Sequence, residues 1–135
     1  MPNEPHAEAL VIRFTPMSAQ GVLDRAAKDA RRSDGNGHHT ASVWADHAEP
    51  GEDRQALIRR ILAVTELRGL DPARNPHLWW CASARQIRDE GFIFEKDGDA
   101  DEPEAHYSVV LGDPPTLEDA ERFVTLFIKE RRPDQ

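Results

Sequence analysis

The sequence predicts a mixed α/β (α+β) domain: one mixed β-sheet of about five strands with three to four helices packed on it, in the order β-α-β-α-β-α-β-β-α. Three observations lead there. The chain has 135 residues, 39% hydrophobic and 31% charged, which is enough to bury a core without disulfide or metal staples. Two long segments carry apolar residues at helical spacing. Between them run short alternating segments rich in β-branched and aromatic residues.

Each element has its own signal. Residues 8–14 alternate Leu10, Ile12 and Phe14 with Ala9, Val11 and Arg13, the pattern of a strand covered on both faces. Thr15 and Ser18 are both candidate caps for the helix that follows, whose stripe is Ala19, Val22, Leu23, Ala26, Ala27 and Ala30. Arg31 and Arg32 suit its C-terminal dipole, and the run from Ser33 to Gly37 stops it. A second strand is expected over 40–47. A second helix over 52–68 follows, striped by Leu57, Ile58, Ile61, Leu62, Val64 and Thr65 and closed by Gly69 and Pro72. Residues 78–81 read as a strand, ended by the capping box Ser83 to Gln86, with Gly91 terminating the short helix. Strands over 92–96 and 105–111 then flank an acidic loop at 97–104, an expected antiparallel hairpin. A second box, Thr116 to Asp119, opens a last helix over 117–131 that buries Leu117, Ala120, Phe123, Val124, Phe127 and Ile128.

Alternation of strand and helix at the front predicts some parallel pairing through right-handed crossovers. The chain shows no internal repeat and no dividing linker. Residues 8–132 are therefore expected to form a single globular domain behind a flexible tail, 1–7, that contains Pro2 and Pro5.

Charge and composition narrow the function classes. Twenty-five acidic against 17 basic side chains leave a net charge of −8, which opposes general binding to a phosphate backbone. No apolar run approaches the roughly 20 residues of a membrane span. The N-terminus lacks a basic-then-apolar leader, and the single cysteine, Cys81, fits a reducing compartment, so a cytoplasmic location is expected. Few lysines beside many Arg, Ala and Asp resemble the product of a GC-rich bacterial genome.

The residues with chemical potential are scattered. His38 and His39 follow Asp34-Gly35-Asn36-Gly37, a turn presenting two adjacent imidazoles suited to metal ligation or general-base work. They lie too far along an extended strand from Asp46 and His47 to share one shell, and a site there would need His106 or a carboxylate brought in by the fold. As a solvated turn the segment needs no such site. Cys81 sits just before the helix at Ser83, a place that favours a thiolate, but its tryptophan neighbours favour a packed thiol and Ile87 stands where a phosphate loop needs arginine. Asp97, Asp99 and Asp101 alternate like the start of a calcium loop. Glu102 and Ser108 occupy the positions that need glycine and a bidentate glutamate, so the loop reads as a solvated hairpin tip or an acidic docking surface. Arg13, with Thr40 and Ser42 on another strand, resembles the phosphate-holding arrangement of some NAD-using ADP-ribosyltransferases, without the Glu-x-Glu that those enzymes add, and it reads more simply as an edge or salt-bridged residue. Trp79 and Trp80 must face opposite sides of a strand, one filling the core and the other free to meet a partner.

No metal or cofactor is assigned. The expectation is a small bacterial protein-interaction or accessory module, for instance a partner protein in a conflict or mobile-element system. It would bind a protein through Trp79, Trp80 and the acidic loop residues. The alternative is a small His-dependent hydrolase or nuclease, or a nucleotide-using transferase, centred on His38 and His39 with His106, Cys81 or Arg13.

Overall fold

A computed structural model describes residues 5–13, 18–32, 39–67, 78–96, 106–112 and 114–131. In chain order they form β1 (Leu10–Arg13), α1 (Ala19–Arg32), β2 (His39–Asp46), α2 (Arg54–Leu67), β3 (Leu78–Ser83), α3 (Ala84–Asp89), β4 (Ile93–Lys96), β5 (His106–Gly112), α4 (Leu117–Thr125) and β6 (Ile128–Arg131). The six strands make one sheet in the order β4-β5-β2-β1-β3-β6.

Every pairing in that sheet is antiparallel, which corrects the parallel pairing expected at the front. Alternating strand and helix forces a parallel neighbour only when the connection crosses the full length of the sheet. Residues 14–38 join β1 to β2, and α1 takes 14 of them, so the chain has length enough to return to the end it left. The hairpin of β4 and β5 forms as expected, with Phe94 opposite Val109.

A second correction concerns the C-terminal helix. It stops at Thr125, the chain turns through Leu126 and Phe127, and residues 128–131 become β6 along β3. Helical periodicity runs on through Ile128 in the sequence. The open edge of β3 takes these residues as a partner strand instead, a long-range preference that no local pattern carries. Phe127 remains in the core, but Ile128 is 69% exposed, and Leu117 is exposed too.

The local signals in the sequence are met atom by atom. Ser83 Oγ accepts the Gln86 N–H at 3.0 Å while Gln86 Oε1 accepts the Ser83 N–H at 3.1 Å. Thr116 and Asp119 make the same reciprocal pair at 3.1 and 2.9 Å. Ser18 Oγ accepts the Gly21 N–H at the start of α1; Thr15, the other candidate cap, lies outside the described residues. Gly91 ends α3 with φ at +95°, its N–H bonded to the Arg88 carbonyl, a conformation glycine adopts without strain.

Both faces of the sheet are covered. On one, α1, α3 and α4 bury Val22, Ala26, Ile87 and Phe123 against Val11, Val43, Phe94 and Val109. On the other, α2 lays Leu57, Ile58, Ile61 and Leu62 over Ile12, Trp44, Trp79 and Cys81. Val64 and Thr65, the rest of the expected α2 stripe, have side chains outside the described set. No helix among the described residues is long and apolar enough to cross a membrane.

Candidate functional site

Period-two alternation decides where the strand candidates point. Leu10, Ile12, Trp79 and Cys81 face α2, so Arg13 and Trp80 face the other layer. Arg13 is 5% exposed, and its Nη1 donates to the Ser42 carbonyl at 2.6 Å. Thr40 and Ser42 alternate with the buried Ala41 and Val43 and share the Trp44 face, so their hydroxyls lie across the sheet from Arg13. The arginine meets the backbone of that strand, not its hydroxyls.

The other candidates do not gather either. His39 opens β2 and His106 opens β5; the register places His39 opposite Gly112 and His106 opposite Trp44. Five residues of strand separate the two imidazoles, roughly 16 Å at about 3.3 Å per residue. His106 packs its ring on Trp44 at 4.8 Å. Cys81 and Arg13 stand on neighbouring strands but on opposite faces. His38, Asp97, Asp99 and Asp101 lie outside the described residues. Among the described residues no group of three or more His, Cys, Asp or Glu is placed to hold a metal ion.

The two tryptophans divide as the alternation requires. Trp79 is 1% exposed beneath α2 and is core, which removes it from any binding surface. Trp80 is half-buried on the opposite face, with the Lys129 Nζ 5.6 Å from its ring centroid. Of the pair, only Trp80 is left with a place at a surface.

A cleft of about 420 Å³ opens where β1, α2, β3 and β6 meet. Its floor is apolar, made by Leu10, Leu57, Ala82 and Cys81, and Cys81 itself is 3% exposed. Glu8, Arg54, Ser83 and Gln86 supply a polar rim, and Ile128 stands at the outer side. Glu8 is joined to Arg85 of α3 by an ion pair. Cys81 is the one sequence candidate in this cleft, and no histidine among the described residues lines it. An apolar floor with a charged rim, beside an exposed isoleucine on an outermost strand, is suited to taking up a side chain from another molecule.

Two clusters near this cleft have no counterpart in the sequence reading. Arg60 of α2 holds Asp46 Oδ2 at 2.6 Å, both carboxylate oxygens of Glu52 at 2.7 and 2.9 Å, and the His47 carbonyl at 2.9 Å. The Arg60 guanidinium, with the Glu49 backbone N–H, holds the Glu52 carboxyl down at about 2. The same contacts, Glu52 first, raise the arginine further above its usual range. Beside them the His6 and His47 rings stack at 4.7 Å and 29°. Residues 5–7, assigned by the sequence to a flexible tail, are placed here: Pro5 is buried, and the Ala9 N–H bonds to the His6 carbonyl at 2.9 Å. Asp46 and His47 at the end of β2 are brought to Arg60 of α2 and to His6 of the N-terminal segment by the fold, so no spacing in the sequence signals either cluster. Ile128 carried only the wrong signal, that of a buried helix position.

The chain is thus a single-sheet, antiparallel α+β protein with an apolar cleft at one flank. Comparison with protein families, curated proteins and solved structures returns no match.

Proposed function

We propose that the protein is a small cytoplasmic interaction module that docks a partner protein at the β6 flank of its sheet. The observation that carries this reading is Ile128, a large apolar side chain 69% exposed on an outermost strand and bordering the cleft. Interfaces are organised around a few apolar anchors within a polar rim, and the floor of Leu10, Leu57 and Cys81 inside Glu8, Arg54 and Gln86 has that composition. On the other side of β6, Lys129 and Trp80 offer a cation and an aromatic face. The net charge of −8 favours a basic partner, by speeding encounter in a salt-dependent way.

The test is differential capture from lysate of the source organism with wild-type protein and the Ile128→Asp variant, followed by titration with the purified partner. Ile128 is exposed, so the variant keeps the fold. The reading expects one partner retained by wild type, an affinity loss of about tenfold or more on substitution, and further weakening between about 50 and about 300 mM salt. A partner whose affinity responds neither to Ile128→Asp nor to salt overturns it.

A further inference from the structure

The cleft at the β6 flank is bordered by Glu8, whose segment is held by the buried Pro5, the Glu8–Arg85 ion pair, the Ala9 N–H bond to the His6 carbonyl and the stacking of His6 on His47. Glu8 and Ala48 both line the cleft, and each lies within two residues of a member of the stacked pair His6 and His47. We propose that this pair is a pH-responsive clip that keeps Glu8 against the cleft near neutral pH and releases it on acidification. The proposal rests on the interaction reading above and names a regulation of that same site.

The geometry allows the bond from Glu8 to hold only while His6 Nδ1 is unprotonated. His6 Nδ1 accepts the Glu8 N–H at 3.0 Å and therefore carries no proton of its own. The proton that makes His6 cationic must go to that nitrogen. It sets a donor against a donor, so the bond to Glu8 breaks. His47 meets a different environment. Its Nδ1 lies 3.6 Å from Asp46 Oδ1, an oxygen that already accepts the His47 backbone N–H at 2.8 Å. A proton on His47 gains that carboxylate. A second proton on His6 then places two cations 4.7 Å apart.

The other charged groups around the pair do not cancel this. From β2 comes Asp46, whose second oxygen is already bound to Arg60 of α2, and Arg60 in turn holds Glu52. On the turn after His47, Glu49 donates its backbone N–H to Glu52. From the N-terminal segment comes Glu8, paired with Arg85 of α3. Asp46 Oδ1, 3.6 Å from His47 Nδ1, can compensate one imidazolium, and its other oxygen is held by Arg60. Histidine is in general the side chain whose charge changes between about pH 5 and 8, and the test lies in that interval. Ala9 marks the limit of the movement, because its carbonyl accepts the Ala84 N–H at 3.0 Å and the residue is fully buried.

Amide hydrogen exchange read by NMR on the full chain tests the clip without any partner. Between about pH 7.5 and about pH 5.5, protection at Glu8, corrected for intrinsic exchange, should fall by roughly tenfold or more, while Val11 and Val43 keep theirs. His6→Gln keeps a polar planar side chain whose oxygen can accept the Glu8 N–H but cannot charge, and it should reduce the pH response at Glu8 to less than about twofold. Protection at Glu8 that is constant across the interval overturns the proposal. So does an undiminished response in a folded His6→Gln protein. Either result leaves the Ile128 surface to stand or fall on the capture experiment, and loss of the Ile128 reading leaves the exchange result intact.

Discussion

Replacing Phe127 and Ile128 by alanine, one at a time, separates two accounts of the C-terminal segment. If the helix ran on to residue 131, both side chains would lie on its apolar stripe, and each truncation would remove a core contact. In the structure they part company. Phe127 is 6% exposed and packs on Phe123 with ring centroids 5.0 Å apart, whereas Ile128 is 69% exposed on β6. Truncating a buried phenylalanine costs about 3–5 kcal/mol, including the cavity and a lost aromatic pair. Ile128 keeps less than a third of its surface from water, against about 1.5–3 kcal/mol for full burial of such a side chain. Adding the lower strand preference of alanine, Ile128→Ala should cost no more than about 1 kcal/mol. The gap of about 3 kcal/mol appears in urea titrations followed by circular dichroism, and as a difference in Tm of about 10 °C for a chain of this size. Equal losses of 2 kcal/mol or more at both positions would refute the β6 assignment, and with it the exposed isoleucine on which the docking surface depends.

The other expectations concern a backbone, a carboxylate, the interface and the clip. Gly91 has φ at +95° and open space where a Cβ would stand, so Gly91→Ala should destabilise by about 1 kcal/mol through backbone strain alone, measured by the same urea titration. Glu52 titrates at about 2 in the fold against 4.5 ordinarily, so the stability it contributes is complete above pH 4.5 and is lost as pH falls toward 2. Glu52→Gln should therefore flatten the acid limb of stability between those values; an unchanged limb would show that the Arg60 contact does not govern it. Ile128→Asp should weaken partner binding without unfolding the chain. His6→Gln should reduce the pH response of Glu8 exchange to less than about twofold.

Legibility followed the range of the interactions. Ser83 with Gln86 and Thr116 with Asp119 are three residues apart, so their capping boxes stand in the sequence as they stand in the fold. The opposed faces of Trp79 and Trp80 follow from pleating alone. Strand order does not follow from any local rule: β1 bonds to residues 44–46 on one side and 80–83 on the other. The turn at Leu126 was hidden because Phe127 and Ile128 continue a helical stripe that only the open edge of β3 overrides. The site was less legible than the fold. The tryptophan neighbours of Cys81 favour a packed thiol over a reactive one, and the structure places it, buried, in an apolar floor. Asp46 and His47 lie too far along β2 from His39 to share a site with it, and the groups that hold them, Arg60 and His6, come from distant parts of the chain. Such clusters are assembled by long-range packing, and composition does not announce them.

The place of β1 has a kinetic consequence. This four-residue strand lies inside the sheet, yet it forms no hairpin with either neighbour, because residues 14–38 intervene on one side and residues 14–77 on the other. Neither of its ladders is closed by a short turn, so each must wait for a long loop to close before any bond rewards it. The β4–β5 hairpin and the capped helices order early by comparison, being local. By loop length alone β1 meets β2 across residues 14–38 at a lower closure cost than β6 meets β3 across 84–127 or β5 meets β2 across 47–105, and its second ladder, with β3, closes the longest loop of the sheet.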